Sequence, residues 1–350
     1  MKFVNKWFNT EGESNDIAVS TRIRFARNVE GYAFGNRLTD DKGKEIIDSV
    51  SGALTAELFE NETLSKIDIK LLPIIEAHAM AEQHAISSEF ASADKSRALI
   101  TNENGSVSVM VNEEDHIRIQ SLTAGFDLDS VFNKANEIDS ILDKKVKYAF
   151  DERLGYLTHC PTNLGTGMRA SVMLHLPALT LTGSIQKVLV AVAKLGVAVR
   201  GLYGEGSDAE GAFYQISNQK TMDITEKQTV ERLKNIINQL IQHERSARDA
   251  LLKQNKDKLF DRIYRSYGTL KYARLINTKE FMQCISDVRL GVALGVIEGL
   301  TFSQTDALVV KSQPANVMLS GEDGSNDVGD ISTNPEMRDK LRADLVRASI

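Results

Sequence analysis

The hydrophobic pattern of the chain changes period several times, and each change marks an element. Residues 17–28 alternate. Ile17, Val19, Ile23 and Phe25 share one face of a predicted strand, and Ala18, Ser20, Arg22 and Arg24 share the other. Ile46, Ile47, Val50, Leu54 and Leu58 fall at helical spacing and predict a helix over 40–59. A second helix is expected over 76–90. Asn104-Gly105 is a turn signal between alternating runs, with Val107, Val109 and Val111 on the strand that follows. That strand ends at Asn112-Glu113-Glu114-Asp115-His116, after which Ile117, Arg118, Ile119 and Gln120 resume the alternation. A helix is expected over 129–148.

The stretch Thr158-His159-Cys160-Pro161-Thr162-Asn163-Leu164-Gly165-Thr166-Gly167 is turn chemistry. It feeds a strand with Ala170, Val172, Leu174 and Leu176 on one face and Arg169, Ser171, Met173 and His175 on the other. An amphipathic helix over 185–195 ends at Gly196, and Val197 and Val199 then alternate with Ala198 and Arg200. A mobile glycine loop follows, Gly201-Leu202-Tyr203-Gly204-Glu205-Gly206-Ser207, and another strand over 211–219. Thr225 and Gln228 form a capping box that opens a long helix, and a second box pairs Thr333 with Glu336 before the last one. Beyond Asn255 the strand signal largely disappears and helices remain.

Composition narrows the function. A chain of 350 residues buries a sizeable core, and its net charge of −6 argues against general nucleic-acid binding. No stretch approaches the roughly 20 apolar residues of a membrane span. Met1 to Thr10 lacks the basic segment and apolar run of a secretory signal. Two cysteines, Cys160 and Cys284, cannot make a disulfide framework, and no paired Cys/His spacing suggests zinc. The expectation is a cytoplasmic protein with reduced thiols, no membrane or nucleic-acid partner and no dedicated metal cage.

The chemistry lies in the arginines. Arg22, Arg24, Arg118, Arg169 and Arg200 each sit on the polar side of a predicted strand, in four separate segments. Guanidinium forks converging on one sheet face need an anion rich in oxygens, and a triphosphate nucleotide fits better than a single carboxylate. The chain has no Walker loop and no kinase-type glycine loop with its strand lysine, so side chains on a sheet would hold the phosphates. Glu114 and Glu205 each end a strand beside one of these arginines. Either can bind a cationic acceptor and take a proton as attack proceeds. Cys160 among arginines is expected to be partly thiolate and to orient a guanidinium, with an inert buried thiol as the competing reading. His78 and His84 lie six apart and do not share a helix face, which argues against a metal pair there.

These residues resemble a known family. Cys160-Pro161-Thr162-Asn163-Leu164-Gly165-Thr166 is similar to the signature of the ATP:guanidino phosphotransferases. Ser20-Thr21-Arg22-Ile23-Arg24, Asn112 to His116, Arg169-Ala170-Ser171 and Arg200-Gly201 with Gly204-Glu205 resemble its other blocks, in the same order. The resemblance implies an α+β fold, with an antiparallel β-sheet flanked by helices over 15–252 and a small all-α C-terminal domain over 255–350. It implies that ATP, carrying Mg²⁺, lies on Ser20, Thr21, Arg22, Ile23, Arg24, Arg118, Arg169, Ala170, Ser171, Val172, Met173 and Arg200. Gly201, Leu202, Tyr203, Gly204 and Glu205 complete that surface, with His84 near the nucleotide. Glu114, Glu205 and Cys160 would engage the acceptor guanidinium.

Two features point to one branch of the family. Only nineteen residues precede Ser20, where kinases of small guanidines carry a further helical domain, and a helical extension follows residue 250. The extension contains Arg338-Asp339-Lys340-Leu341-Arg342-Ala343, which resembles the phosphoarginine-sensing motif of kinases that act on protein arginines. That branch implies an allosteric pocket at Arg338, Asp339, Arg342 and Ala343. It also implies protein substrates with exposed arginines, an activator protein, a Clp-type protease acting on the product in a stress response, and a homodimer. A small-guanidine kinase and a non-catalytic phosphoarginine-binding adaptor are the alternatives. His159 departs from the family pattern, which favours a small residue before the cysteine.

Overall fold

The computed structural model describes residues 6–56, 58–59, 62–92, 95–201, 210–321 and 334–350. Its strands in chain order are β1 (Ala18–Arg27), the ribbon β2 (Leu58–Phe59) and β3 (Glu62–Thr63), β4 (Ser65–Asp68), β5 (Ala98–Thr101) and β6 (Val107–Val111). They continue with β7 (Ile117–Ala124), the hairpin β8 (Phe150–Asp151) and β9 (Gly155–Tyr156), β10 (Met168–His175), β11 (Val197–Gly201) and β12 (Phe213–Asn218). The helices are α1 (Asp40–Thr55), α2 (Ile74–Glu82), α3 (Ser88–Ala91), α4 (Leu128–Asp143), α5 (Pro177–Leu181) and α6 (Ile185–Ala193). Then come α7 (Glu226–Tyr272), α8 (Thr278–Ala293), α9 (Phe302–Lys311), α10 (Pro314–Ser320) and α11 (Pro335–Arg347).

Eight strands form one sheet in the order β11-β12-β10-β1-β7-β6-β5-β4, every pair antiparallel. The alternation seen in sequence separates its two faces. Ile23, Phe25, Ile117, Ile119, Ala170, Val172 and Leu174 point down and pack with α1, α4 and α7 through Ile46, Val50, Val131, Ile138, Leu233 and Ile237. Burying each such side chain stabilises the fold by about 1.5–3 kcal/mol. The upper face has two roofs. Over β5 and β6, Leu99 and Met110 pack against Ala77, Met80 and Phe90 from α2 and α3. At the other end, Val19, Leu122, Met173 and Phe213 share a core with Trp7, Phe8 and residues of α8, α9 and α11. The arginines lie between the roofs.

Several elements differ from the sequence expectation. Val19 leaves the face of Ile23 because the register shifts between Ala18 and Ser20, sending Ala18 down and Val19 up. The helix expected over 76–90 is two, α2 and α3, parted at His84, whose φ is 60°. Ser87 recaps the second piece by accepting a hydrogen bond from the Phe90 amide. The helix expected to run to 148 stops at Asp143 because Val146 and Tyr148 turn into the core, Tyr148 bridging Val29. The last helix is capped by Asn334, which accepts from the Met337 amide, while Thr333 lies outside the described residues.

α7 runs for 47 residues from the capping box at Thr225 and Gln228, with non-helical backbone angles at Asn255. It passes from beneath the sheet into the C-terminal helices. A buried polar network joins the same two regions. His175 of β10 meets Ser286 Oγ at 2.8 Å, Arg289 pairs with Asp306 at 2.7 Å, and Arg289 also donates to the Asn15 and Asp16 carbonyls. Among the described residues no helix is long and apolar enough to cross a membrane.

Two histidines, the buried His175 and the half-buried His84, make stability depend on pH. Burial, with the arginines Arg289 and Arg248 adding to it, holds His175 well below its ordinary value. Burial, then Arg22 and Arg24, pushes His84 down to about 3. Both rings stay neutral while the unfolded chain takes up protons below its ordinary value of 6.5. The unfolded state therefore binds more protons, and stability falls as pH drops below 6.5, by about 1.4 kcal/mol per pH unit for each ring. Urea midpoints at pH 7 and pH 5 should differ less in His175→Gln than in the natural protein.

Candidate active site

Antiparallel register gathers the arginines. Arg24 stands directly opposite Arg169 of β10 and Gln120 of β7, while Arg22 stands opposite Ser171 and Leu122. Arg118 faces Ala26 of β1, and Arg200 faces Gln215 of β12. All five guanidinium stems, with Ser20 and Ser171, thus rise from the upper face. Ile23, Ala170 and Val172 do not, because their side chains lie in the core beneath. Thr21 also turns away, its hydroxyl donating to the Gly125 carbonyl at 2.6 Å. Met173 is taken into the roof formed by the C-terminal helices. Gly201 ends β11, whereas Leu202, Tyr203, Gly204 and the candidate carboxylate Glu205 lie outside the described residues.

Like charges directly opposite on a sheet repel. Burial, then Arg118 and Arg169, pushes Arg22 down to about 10. Burial and the same neighbours, with Arg22, drive Arg24 well below its ordinary value. The Arg24 Nε is buried with no hydrogen-bond partner. An arginine that stays charged here gains from any polyanion laid across the face. The neutral His84 ring sits beside these arginines, and its carbonyl accepts from Gln120 Nε2 at 2.8 Å.

The acidic turn after β6 links this face to the cysteine loop. Asn112 has φ 64°, and its amide donates to the His116 carbonyl at 2.9 Å, which closes the turn. Glu113 accepts from Arg118 at 2.8 Å, from Ser87 Oγ at 2.7 Å and from the Glu114 amide at 2.7 Å. Its side chain is only 3% exposed. Glu114 reaches the same Arg118 at 3.3 Å and is half-buried. Burial raises the Glu114 pKa, Asp115 and Glu113 add to the rise, and Arg118 opposes it. A carboxylate so placed is suited to taking a proton. Asp115 accepts from Asn28 Nδ2 at 2.7 Å and from the His159 amide at 2.6 Å, fixing the residue before Cys160.

Cys160 is half-buried, with its Sγ 3.0 Å from Thr162 Oγ1. Pro161 begins a single 3₁₀ turn, Pro161–Asn163. Gly165 closes the loop at φ 97°, where a Cβ would stand 2.2 Å from the Thr221 carbonyl oxygen. Arg27 holds the loop from below. It binds Asp139 at 2.7 and 3.0 Å, donates to the Thr166 carbonyl at 3.0 Å and stacks 3.5 Å from the Tyr156 ring centre. Arg27 and Asn28 have no role in the sequence motifs, and of the acidic run only Glu114 is singled out there, whereas Glu113 and Asp115 also make buried contacts. The parity of β1 carries the signal for Arg27, which shares a face with Phe25 and not with Arg24.

In the C-terminal helices, Asp339 pairs with Arg342 at 2.8 Å. Arg342 is fully buried and donates to the Ser312 and Ile276 carbonyls at 2.8 and 2.9 Å, with Ala343 buried beside it. Arg338 is half-buried on the same helix.

Residues 45–247 match the family described as ATP:guanido phosphotransferase, C-terminal catalytic domain. A lombricine kinase crystal structure superposes with a TM-score of 0.59 at 25% identity, covering 67% of this chain and 68% of that one. A duplicated taurocyamine kinase from Schistosoma mansoni does so at 0.59 and 26%, covering 73% of this chain and 39% of that one. An arginine-studded antiparallel sheet with these likenesses defines the class, the guanidino phosphotransferases. Residues 256–350 match the family described as protein-arginine kinase McsB C-terminal domain. A protein-arginine kinase from Halalkalibacterium halodurans is 42% identical over 99% of this chain and 95% of its own length. Another, from Caldanaerobacter subterraneus, is 40% identical over 96% and 97%. The chain belongs to the protein-arginine kinase family of ATP-using guanidino phosphotransferases.

Proposed function

We propose that the protein transfers the γ-phosphoryl group of ATP to guanidinium nitrogens of arginine side chains in proteins. The observation that carries this reading is the half-buried arginine cluster on one sheet face, with Arg24 set against Arg169 and its buried Nε unpartnered. The triphosphate lies across Arg22, Arg24, Arg118, Arg169 and Arg200, with His84 beside it. The described residues hold no group of three or more His, Cys, Asp or Glu suited to a metal. Mg²⁺ would arrive on the nucleotide phosphates and supply charge neutralisation there. Glu114 and Glu205 bind the acceptor guanidinium, and Cys160 orients it. A guanidinium nitrogen attacks phosphorus, the bond to the β–γ bridging oxygen breaks, ADP leaves, and the nitrogen's proton passes to a carboxylate. Catalysis comes from positioning and from fixed charge.

In this reading residues 15–252 form the catalytic domain and 255–350 the regulatory one. Arg338, Asp339, Arg342 and Ala343 form its phosphoarginine pocket. The protein works in the cytoplasm as a homodimer with an activator, and its product directs targets to a Clp-type protease during stress.

Labelled ATP offered with either an unfolded protein or free arginine tests the proposal. Acid-labile label on the protein is expected, and label on free arginine alone would refute it. Glu114→Gln should lower kcat by about a hundredfold or more. In the natural protein the acid limb of the rate should lie above the ordinary 4.5, because the base must be ionised and its pKa is raised.

A further inference from the structure

His84 lies between α2 and α3 beside Arg22 and Arg24, in a left-handed backbone conformation that a non-glycine residue adopts only under constraint. Its surroundings must hold it there. From the floor, Gln120 Nε2 donates to its carbonyl at 2.8 Å. From the N-terminal side, Trp7 stands 6.1 Å away between ring centres, and its indole N–H donates to the Gln83 carbonyl at 2.9 Å. The remaining hold comes from the C-terminal helices.

There, Gln83 Nε2 donates to Asn316 Oδ1 at 2.7 Å, and Asn316 Nδ2 donates to Glu82 at 2.8 Å and to the Ala79 carbonyl at 3.3 Å. The Glu82 carboxylate accepts from the Ala315 and Asn316 amides at 2.8 and 2.9 Å. The last turn of α2 is therefore tied to the first turn of α10 by five hydrogen bonds, immediately before His84. α10 is itself anchored just upstream, where the Ser312 carbonyl takes the buried Arg342 Nε.

We infer that Glu82 and Asn316 are positioning residues for the donor nucleotide, acting through His84. The C-terminal helical region thereby completes a site whose arginines all belong to the sheet. Loosening this clasp lets His84 relax from its strained conformation and withdraw from the nucleotide, leaving the arginine face and the acceptor side intact. The inference rests on the arginine face being the ATP site.

A double-mutant cycle on the full chain tests it. ATP binding is measured by calorimetry without acceptor, and KM for a protein acceptor is measured separately. Asn316→Ala and His84→Ala should each weaken ATP binding by about tenfold, with the acceptor KM unchanged. The double variant should be no weaker than His84→Ala alone. Unchanged ATP binding in Asn316→Ala, or losses that multiply in the double variant, would overturn the inference. Should Asn316→Ala not fold, Glu82→Gln preserves the side-chain volume and carries the same cycle. An unmodified protein that binds no ATP would instead overturn the functional reading itself.

Discussion

Arg24→Met is expected to cut phosphotransfer by about a thousandfold while making the nucleotide-free protein more stable. The two effects have one cause. Arg24 faces Arg169 across a strand pair, is flanked by Arg22, and keeps a buried Nε without a partner. Removing it relieves like-charge repulsion worth about 1 kcal/mol and, on the proposed function, deletes a ligand for the transferring phosphoryl. Thermal melting with and without ATP checks this. The variant should melt higher than the natural protein when empty, and ATP should stabilise it less. A lower melting point for the empty variant would show that Arg24 contributes more by packing than it costs in repulsion.

Arg27→Met should have the opposite signature. Arg27 is fully buried, and its removal leaves Asp139 unpaired and the Thr166 carbonyl without a donor. A loss of about 3–5 kcal/mol is expected. Because Thr166 lies on the cysteine loop, acceptor KM should rise in what remains folded. Arg27→Met combined with Asp139→Leu should recover much of the stability, since an apolar pair of similar volume can replace a buried ion pair. Urea denaturation of both variants decides the matter, and equal destabilisation of single and double variants would count against the buried-charge account.

Arg24 and Arg27 also mark what the sequence could and could not reveal. The strand, its period and the arginine-bearing side of β1 were legible from alternation alone. The same rule, carried three residues further, places Arg27 on the core face, yet offers no local cue that it will clasp a loop about 140 residues away. Thr225 and Gln228 announced the start of α7 because a capping box is a local signal. The break at His84 was hidden, since the residues around it favour helix and its left-handed backbone is held by Gln120, and through Gln83 by Trp7 and Asn316, all distant in sequence. Glu113 was hidden for another reason. In a run of three acids, only the fold decides which one turns inward to Arg118 and which remains at the surface of the site.

The position of Asn255 has a consequence for how such a protein is built. The two matched families meet between residues 247 and 256, inside a single helix, and the helices beyond that seam roof the sheet over Val19, Leu122, Met173 and Phe213. A piece ending at the seam would carry every sheet arginine yet leave an apolar patch of its sheet wet, so the seam between the two matched families is not a seam in the hydrophobic core.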